Sequence, residues 1–235
     1  MTVLTGDTHR DFDRVFDFCE EYGTTPEDVL IILGDAGINY FLDESDQALK
    51  EELSRLPVTL LCVHGNHEER PEEIGTYEER PWRGGVVWVE PEFPTLLFAK
   101  DGEIYDLDGQ KTLVIGGAYS VDKFSRLRGG APWFPSEQPD EETKRRVEAR
   151  LEKAGWRVDC VLSHTVPLPY MPRHAFLPGI DQRMVDRSTE EWLDDIERRL
   201  TYQRWYAGHY HVDSQEGPVR IVQDDFLELD AWGEA

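Results

Sequence analysis

The stretch Val29-Leu30-Ile31-Ile32-Leu33-Gly34-Asp35 decides the fold. Five consecutive apolar residues that run into a glycine are typical of a buried strand in an α/β sheet. Gly34 allows the chain to turn sharply where this strand ends. Asp35 would then lie at the carboxyl edge of the sheet, which is where open α/β sheets bind their ligands.

The same pattern, an apolar run that ends in Asp, Asn or His, occurs four more times. The four segments are Gly6-Asp7-Thr8-His9 after 3–5, Gly65-Asn66-His67-Glu68 after 59–63, Ser163-His164 after 161–162, and Gly208-His209-Tyr210-His211 after 205–207. Because strand ends meet at one edge of such a sheet, the sequence predicts one metal site assembled from five strand ends.

The composition indicates one folded domain spanning residues 1–235. Hydrophobic residues make up 39% of the chain and aromatic residues 11%, enough for a sizeable core. No apolar run approaches the roughly 20 residues of a membrane span, and the first residues lack the basic start of a signal peptide. Cys19, Cys62 and Cys160 lie in apolar surroundings and predict buried free thiols in a reducing compartment. We therefore expect a cytoplasmic protein without a membrane partner.

The formal charge of −23, from 48 acidic and 25 basic residues, restricts the partners. A surface this acidic repels the phosphate backbone, which argues against broad nucleic-acid binding. A small phosphorylated substrate is still compatible with it, because bound divalent cations can reverse the sign of the field inside one cleft.

Apolar periodicity predicts helices at 11–22 and 43–56 between strands at the N-terminus, 29–33 and 58–63. This alternation predicts parallel strands with right-handed crossovers. In the middle of the chain, Pro and Asp-Gly turns separate short strands, which predicts a second, mostly antiparallel portion of sheet. The remaining predicted elements are strands at 86–89, 95–99, 103–107 and 112–115, a loop at 129–135, a helix at 140–154, a strand at 158–162, an irregular loop at 165–187, a helix from 188 to about 200, and strands near 203–207, 218–223 and 226–229.

Two of the motifs place potential ligands two residues apart. If these segments are extended, Asp7 and His9 point to the same side, and so do His209 and His211. Carboxylate, imidazole and amide oxygen are suitable ligands for Mn²⁺, Fe, Zn²⁺ or Ni²⁺. A mixed nitrogen and oxygen set without cysteine favours a catalytic site with open water positions over a closed structural zinc site.

Each motif alone also has an ordinary structural interpretation. A Gly-Asp pair after a strand is often a turn or a helix cap, Gly-Asn-His is often a turn, and a histidine in a loop is often structural. All five motifs occur in this chain, each behind an apolar strand. Their joint occurrence favours a site for two metal ions.

The five motifs together resemble the pattern of the calcineurin-like metallophosphoesterase family. That pattern is Asp-x-His, Gly-Asp, Gly-Asn-His-Asp/Glu, a further His and Gly-His-x-His, and it is matched from residue 6 to residue 211. The resemblance implies an α/β fold in which two facing mixed β-sheets are flanked by helices, a four-layer α/β/β/α arrangement.

The resemblance also implies a role for each motif residue. Asp35 would bridge two divalent ions, with Mn²⁺ favoured over Fe, Zn²⁺ or Ni²⁺. The other ligands would be Asp7, His9 and His211 for one ion and Asn66, His164 and His209 for the other. Such ions, roughly 3.5–4 Å apart, lower the pKa of a shared water, and the resulting hydroxide attacks phosphorus in line. Asn66 and His67 would contact the phosphate, and His67 would protonate the leaving group.

The chain departs from the family pattern at three places, and the last two of them, where phosphate-binding arginines are absent, weaken an assignment to the protein serine/threonine phosphatases. Arg10 replaces the Gly that follows Asp-x-His in many relatives, the segment 34–40 lacks Asp-Arg-Gly, and His64 replaces an arginine before Gly-Asn-His. The chain looks closer to small bacterial and phage members, in which stretches like 116–120 and 133–135 also occur without an assigned chemistry.

Several residues without a predicted metal-binding or catalytic role have two interpretations. Arg10, Arg126 and Arg128 could replace the missing phosphate-binding arginines, although a solvated surface position is the preferred interpretation of each. His64 and His174 are interpreted as structural or solvated, and Glu68 as a support for its turn. These residues are Arg10, His64, Glu68, Arg126, Arg128 and His174.

The sequence therefore predicts a metal-dependent phosphatase or phosphodiesterase that hydrolyses a phosphorylated small molecule or a nucleotide. One alternative is a nuclease-type phosphodiesterase, which the charge and the lack of a basic stripe disfavour. Another is a catalytically silent scaffold that binds proteins, which the full set of motif residues disfavours. The loop 165–187 follows His164 directly, and we expect it to form part of the substrate wall. The sequence does not determine the oligomeric state.

Overall fold

A computed structural model describes residues 1–229. The strands in this range are β1 (Thr2–Thr5), β2 (Val29–Ile32), β3 (Thr59–Cys62), β4 (Glu78–Trp82), β5 (Gly85–Val89), β6 (Leu96–Ala99), β7 (Ile104–Leu107), β8 (Gln110–Ile115), β9 (Cys160–Ser163), β10 (Arg204–Ala207), β11 (Ser214–Glu216), β12 (Val219–Ile221) and β13 (Leu227–Glu228). The α-helices are α1 (Asp13–Tyr22), α2 (Glu44–Leu53), α3 (Lys123–Gly129), α4 (Glu141–Lys153) and α5 (Ser188–Glu197).

Local signals in the sequence set several helix boundaries. Asp43 precedes α2 and accepts a hydrogen bond from the backbone N–H of Ser45, and Asp140 caps α4 in the same way through Thr143. Gly23 ends α1 in the left-handed conformation, with φ of 61°. These helices lie where the periodicity predicts them, with ends shifted by up to three residues.

The first sheet has the strand order β13-β1-β2-β3-β6-β5-β4. Its central strands β1, β2 and β3 are parallel, as predicted, and their last residues are in register: Thr5 pairs with Ile32, and Ile32 with Cys62. The carboxyl ends of these three strands therefore align at one edge of the sheet.

The second sheet has the strand order β11-β12-β10-β9-β8-β7. Strands β8, β9, β10 and β12 run parallel, and β7 and β11 pair antiparallel at its two edges. This sheet also aligns the ends of two motif-bearing strands, β9 and β10.

Three apolar clusters define the four layers. One cluster joins the inner faces of the two sheets, with residues such as Leu61 and Leu162. A second joins α1 and α2 to the outer face of the first sheet, and a third joins α4 and α5 to the outer face of the second. The predicted α/β/β/α arrangement of two facing mixed sheets is confirmed.

The position of β2 explains its continuous apolar run. Val29, Ile31 and Leu33 belong to the cluster between the sheets, whereas Leu30 and Ile32 pack against the helices. Alternate side chains therefore enter two different cores, and neither face can be polar.

The middle of the chain differs from the prediction. Its hairpins are antiparallel as expected, but they form no separate portion of sheet, since β4, β5 and β6 extend the first sheet and β7 and β8 extend the second. Helix α3 and the edge strands β4 and β11 were not predicted. β4 carries Pro81 and three charged residues. Such a composition does not indicate a strand in the sequence, but a strand at the edge of a sheet tolerates it.

Candidate metal centre

The structure brings the five strand ends together where the carboxyl edges of the two sheets meet. β1, β2 and β3 contribute from the first sheet, and β9 and β10 from the second. A backbone hydrogen bond of 3.0 Å from Gly208 to His164 joins the ends of β10 and β9. The predicted metal-ligating residues at this junction are Asp7, His9, Asp35, Asn66, His164, His209 and His211.

The backbone at these strand ends corrects one part of the sequence interpretation. The Asp-x-His and His-x-His segments are not extended, because His9, His209 and His211 have φ values of 46°, 68° and 49°. Asp35 is also left-handed, with φ of 50°. Non-glycine residues adopt this conformation at a cost, and such strain concentrates at functional sites. Tight turns, and not strand alternation, bring the paired ligands to one side.

The motif glycines allow this close packing. Gly34, Gly65 and Gly208 each lie against a potential ligand that is carried by a different strand, at a distance that leaves no room for a Cβ atom. A Cβ would lie 2.0 Å from Nδ1 of His164 at Gly34, 2.0 Å from Oδ1 of Asp35 at Gly65, and 2.2 Å from Oδ1 of Asp7 at Gly208.

Asp7, His9 and His211 form the first cluster of potential ligand atoms. Nε2 of His9 and Nε2 of His211 lie 2.9 Å apart. Oδ2 of Asp7 lies 3.2 Å from Nε2 of His211 and 3.7 Å from Nε2 of His9, yet it has no hydrogen-bond partner of good geometry among the described residues. Two imidazole nitrogens and an unpartnered buried oxygen that converge in this way suit a divalent cation.

Asp35 connects the first cluster to the second. Its Oδ1 accepts a hydrogen bond of 2.7 Å from the backbone N–H of His67. Its Oδ2 faces three imidazoles, at 4.0 Å from Nδ1 of His9, 3.8 Å from Nε2 of His67 and 3.6 Å from Nε2 of His164. Asp7, Asp35 and His164 form a second group of potential ligand atoms. Asp7 therefore belongs to both groups, and Asp35 faces a histidine of each.

Hydrogen bonds to His164 orient its ring. Nδ1 donates to the carbonyl oxygen of Leu33 at 2.8 Å, which directs Nε2 toward Asn66 and Asp35. Oδ1 of Asn66 lies 2.8 Å from this Nε2, and the ring of His209 lies 4.9 Å from that of His164. The predicted second ligand set, Asn66, His164 and His209, is therefore also assembled.

The two histidines of the second set have opposite pKa shifts. Burial opposes a charge on His164, yet the carboxylates of Asp35 and Asp7 raise its pKa to about 9. Burial and the neighbouring His164 lower the pKa of His209 to about 3. Burial alone would raise the pKa of Asp35, but His164 holds it well below its usual range. In the chain without ions, the charged ring of His164 therefore compensates the negative charge of the buried carboxylates. A bound cation would take over this role.

His67 lies at the floor of the adjacent cavity. Its Nε2 is 3.4 Å from Nη2 of Arg126, and its buried Nδ1 has no partner among residues 1–229. Burial lowers the pKa of His67, with Asp35 acting in the opposite direction and Arg126 adding to the effect. His67 is thus close to the centre and outside both potential ligand groups, as its predicted role requires.

A hydrogen-bond chain explains the two stretches to which the sequence assigned no chemistry. Nδ2 of Asn66 donates to Oγ of Ser120 at 2.9 Å, and the backbone N–H of Ser120 donates to Oε2 of Glu137 at 3.2 Å. The indole of Trp133 also donates to Glu137, at 2.7 Å. Because the NH₂ group of an amide only donates, the Ser120 hydroxyl accepts from Asn66. The amide oxygen of Asn66 is thereby directed to the metal centre.

The three arginines have different positions. Arg126 is half-buried in the cavity, so the preferred interpretation as a solvated arginine is wrong for it. Arg128, on the same helix, is exposed as expected. Arg10 is half-buried away from the cavity lining, where it pairs with Asp46 and donates to the carbonyl oxygen of Gly37.

His64 and Glu68 have structural roles, whereas His174 is solvated. His64 is buried and donates from Nε2 to the backbone oxygen of Glu68 at 3.0 Å. The carboxylate of Glu68 accepts from the N–H groups of Gly65 and Gly37 and so supports its turn, as predicted. His174 is exposed at the cavity wall. All three cysteines are buried free thiols, as predicted.

The comparisons with known proteins agree with this geometry. The sequence model of the calcineurin-like phosphoesterase family matches residues 2–213, and the chain belongs to this family. The TT1561 protein of Thermus thermophilus resembles it in structure with a TM-score of 0.52 and 14% identity, over 95% of this chain and 88% of that one. This likeness supports the fold alone.

A second solved structure, the phosphopantetheinyl hydrolase PptH from Mycobacterium tuberculosis, aligns with a TM-score of 0.42 and 18% identity, over 94% of this chain and 88% of that one. No curated protein sequence matches the chain. Within residues 1–229, every helix is too short or too polar to cross a membrane.

Proposed function

We propose that this protein is a metal-dependent phosphoesterase that hydrolyses phosphate monoesters or diesters of a small molecule or nucleotide. The observation that supports this most directly is the convergence of seven ligand-type side chains from five strand ends, five of which line one cavity together with His67. Two divalent cations held there would bind phosphate oxygens and lower the pKa of water.

Each ion would take its ligands from both sheets. Asp7, His9 and His211 would bind one ion, and Asn66, His164 and His209 the other. Asp35 lies between the two sets and would contact both ions. The mixture of carboxylate, imidazole and amide suits Mn²⁺, Fe, Zn²⁺ or Ni²⁺, and we propose Mn²⁺ as the first ion to test.

Arg126 would bind a phosphoryl oxygen. Its Nε donates to Asp122 at 2.7 Å and its Nη1 to the hydroxyl of Tyr40 at 2.9 Å, so the guanidinium is held in place before substrate arrives. Its Nη2 faces His67 across the cavity floor. A preorganised guanidinium stabilises the negative charge that develops on the phosphoryl group.

His67 would give its Nε2 proton to the leaving oxygen. Before substrate binds, burial and Arg126 keep this imidazole neutral, because they lower its pKa. A bound phosphate adds negative charge beside the ring, which favours the imidazolium. The phosphate also offers Arg126 a better hydrogen-bond acceptor than Nε2 of His67. Substrate binding itself would thus prepare the general acid.

The test is hydrolysis by the Mn²⁺-reconstituted protein of a panel of phosphomonoesters and phosphodiesters that includes cyclic nucleotides. We expect turnover of at least one class, and its loss when a chelator removes the ions. Full metal occupancy without hydrolysis of any ester would overturn the proposal and favour the silent scaffold.

A further inference from the structure

The cavity above the metal centre is much larger than a phosphate group needs. Its volume is about 720 Å³, within the range of roughly 300–1,000 Å³ that holds a whole organic ligand. One wall comes from the irregular segment 171–186, which we call the side wall. The segment is therefore placed to contact whatever is attached to the phosphate.

The side wall is mainly apolar. Its apolar residues in the cavity are Met171, Ala175, Phe176, Leu177, Ile180 and Val185. Leu177 is 61% exposed. Apolar side chains left open around a cavity gain free energy when a ligand covers them.

The charges around the cavity do not favour an anionic leaving group. Arg126 is the one arginine or lysine that lines it within residues 1–229, and its Nε is paired with Asp122 at the metal end. Asp186, at the side wall, is held ionised: burial opposes its charge, but hydrogen bonds from Ser188 lower its pKa. A second phosphate or a carboxylate on the leaving group would meet this acidic side chain, and no lysine or arginine lines the cavity at this wall within residues 1–229.

Glu190 adds a polar position in the same cavity. It is only 3% exposed, and its Oε1 accepts a hydrogen bond of 2.8 Å from Thr165. Its Oε2 has no hydrogen-bond partner among residues 1–229. An unpaired buried oxygen is costly, and burial raises the pKa of Glu190. A neutral hydroxyl or amide can hydrogen-bond to this carboxyl group in either protonation state.

We propose that the preferred substrate is a phosphate ester of an uncharged, mainly apolar alcohol, whose leaving group packs on the side wall and hydrogen-bonds Glu190. This inference rests on the proposed phosphoesterase activity and defines its substrate class. It disfavours nucleoside polyphosphates and polynucleotides, whose leaving groups carry further negative charge.

The first test uses the Mn²⁺-loaded protein and linear alkyl phosphates from ethyl to octyl, below micelle formation, with the matching methyl alkyl diesters. The released alcohol is measured, and 4-nitrophenyl phosphate reports general phosphoesterase activity. We expect kcat/KM to rise by about fourfold for each added methylene. Turnover that does not depend on chain length would overturn the inference and leave the proposed function standing, whereas no turnover of any ester would contradict the proposed function.

A matched pair of variants locates the effect. Leu177→Asp places a charge on the side wall, and Leu127→Asp does the same at a residue that is similarly exposed, at 52%, but does not line the cavity. Leu177→Asp should remove most of the chain-length dependence, and Leu127→Asp should preserve it. An equal response of the two variants would show that the side wall does not bind the leaving group.

A charged analogue tests Glu190. The parent protein should hydrolyse hexyl phosphate at least about tenfold better than 6-carboxyhexyl phosphate, because the carboxylate enters an acidic, apolar cavity. Glu190→Gln should reduce this ratio, since the amide is neutral and can donate to a carboxylate. A parent protein that prefers the carboxylate, or a ratio that Glu190→Gln leaves unchanged, would contradict the placement of the leaving group.

Discussion

Nη2 of Arg126 lies 3.4 Å from Nε2 of His67, which puts a fixed guanidinium beside the proposed general acid. If Arg126 binds the phosphoryl group, Arg126→Ala should lower kcat/KM by about 10²-fold. Arg128→Ala is the matched control, because Arg128 lies on the same helix, is exposed and does not line the cavity. Steady-state kinetics on one ester at matched metal occupancy make the comparison, and equal activities would remove Arg126 from this role.

His67→Ala should harm poor leaving groups most. An alkyl ester expels a strongly basic alkoxide and depends on protonation, a contribution typically worth about 10²–10⁴-fold, whereas a nitrophenyl ester expels a weak base. The kcat/KM values for both ester types, with metal content measured in parallel, test the role. Equal losses would indicate that His67 binds phosphate, and a loss of metal would indicate that it is a ligand.

Asp35→Asn should weaken the binding of both ions, because this carboxylate lies between the two potential ligand groups. We expect the parent to bind two Mn²⁺ ions and the variant to lose more than about tenfold in affinity for each. Asp194→Asn, at a buried aspartate on α5, is the control and should bind normally. Elemental analysis gives the number of bound ions, and calorimetry gives the affinity for each. A parent protein that saturates at one ion would contradict the two-ion site.

Ser120→Ala should lower metal affinity although Ser120 is not a predicted ligand. The change removes the acceptor that directs the amide of Asn66, and outer partners of this kind are worth about 10–100-fold in affinity. Ser125→Ala, at an exposed position on α3, is the control. Mn²⁺ titration of both variants gives the result. An unchanged affinity in Ser120→Ala would show that His164 alone orients Asn66.

Metal binding should release a proton from His164. Its pKa of about 9 in the ion-free chain keeps it charged at pH 7.5, and a ligating imidazole must be neutral. The apparent metal affinity should therefore rise between pH 6.5 and 9. Over the same window the ion-free protein should lose stability, because a raised histidine pKa stabilises the folded state only while the ring is protonated.

Calorimetry at pH 7.5 in two buffers of different ionisation enthalpy measures this release. His209→Asn is an informative control, because the pKa of His209 is lowered to about 3 and the neutral ring has no proton to release. It should retain the proton release of the parent, whereas His164→Asn should lose about one proton. An identical count in the two variants would contradict the assignment.

The sequence identified the residues that gather at the strand ends better than the residues that surround them. Asp7, Asp35 and Asn66 could be found because each directly follows a buried strand, and parallel strands carry their ends to a common edge. Arg126 and Glu137 reach the site through tertiary contacts from a seven-residue helix and a loop, and neither has a local signature. Their positions depend on the packing of distant segments, which no spacing rule encodes.

The same limit applies to the fold. The run 29–33 predicts a strand because both faces are buried, but β4 and β11 are edge strands with mostly exposed residues and no apolar pattern. The division of the middle hairpins between two sheets likewise depends on which strand edge each one meets. Short-range turn signals specify a hairpin but do not specify which sheet the hairpin joins.

The packing of Gly34, Gly65 and Gly208 against ligands from other strands has a consequence for engineering and inheritance. A substitution in one motif would displace the metal ligand of another, so the motifs cannot be altered one at a time. Transplanting the seven ligands to a new scaffold would fail unless the bare backbone beside them were copied as well. The side wall makes no such contact with the centre and is free to diversify. A lineage could therefore change its substrate repeatedly while its catalytic floor stayed fixed.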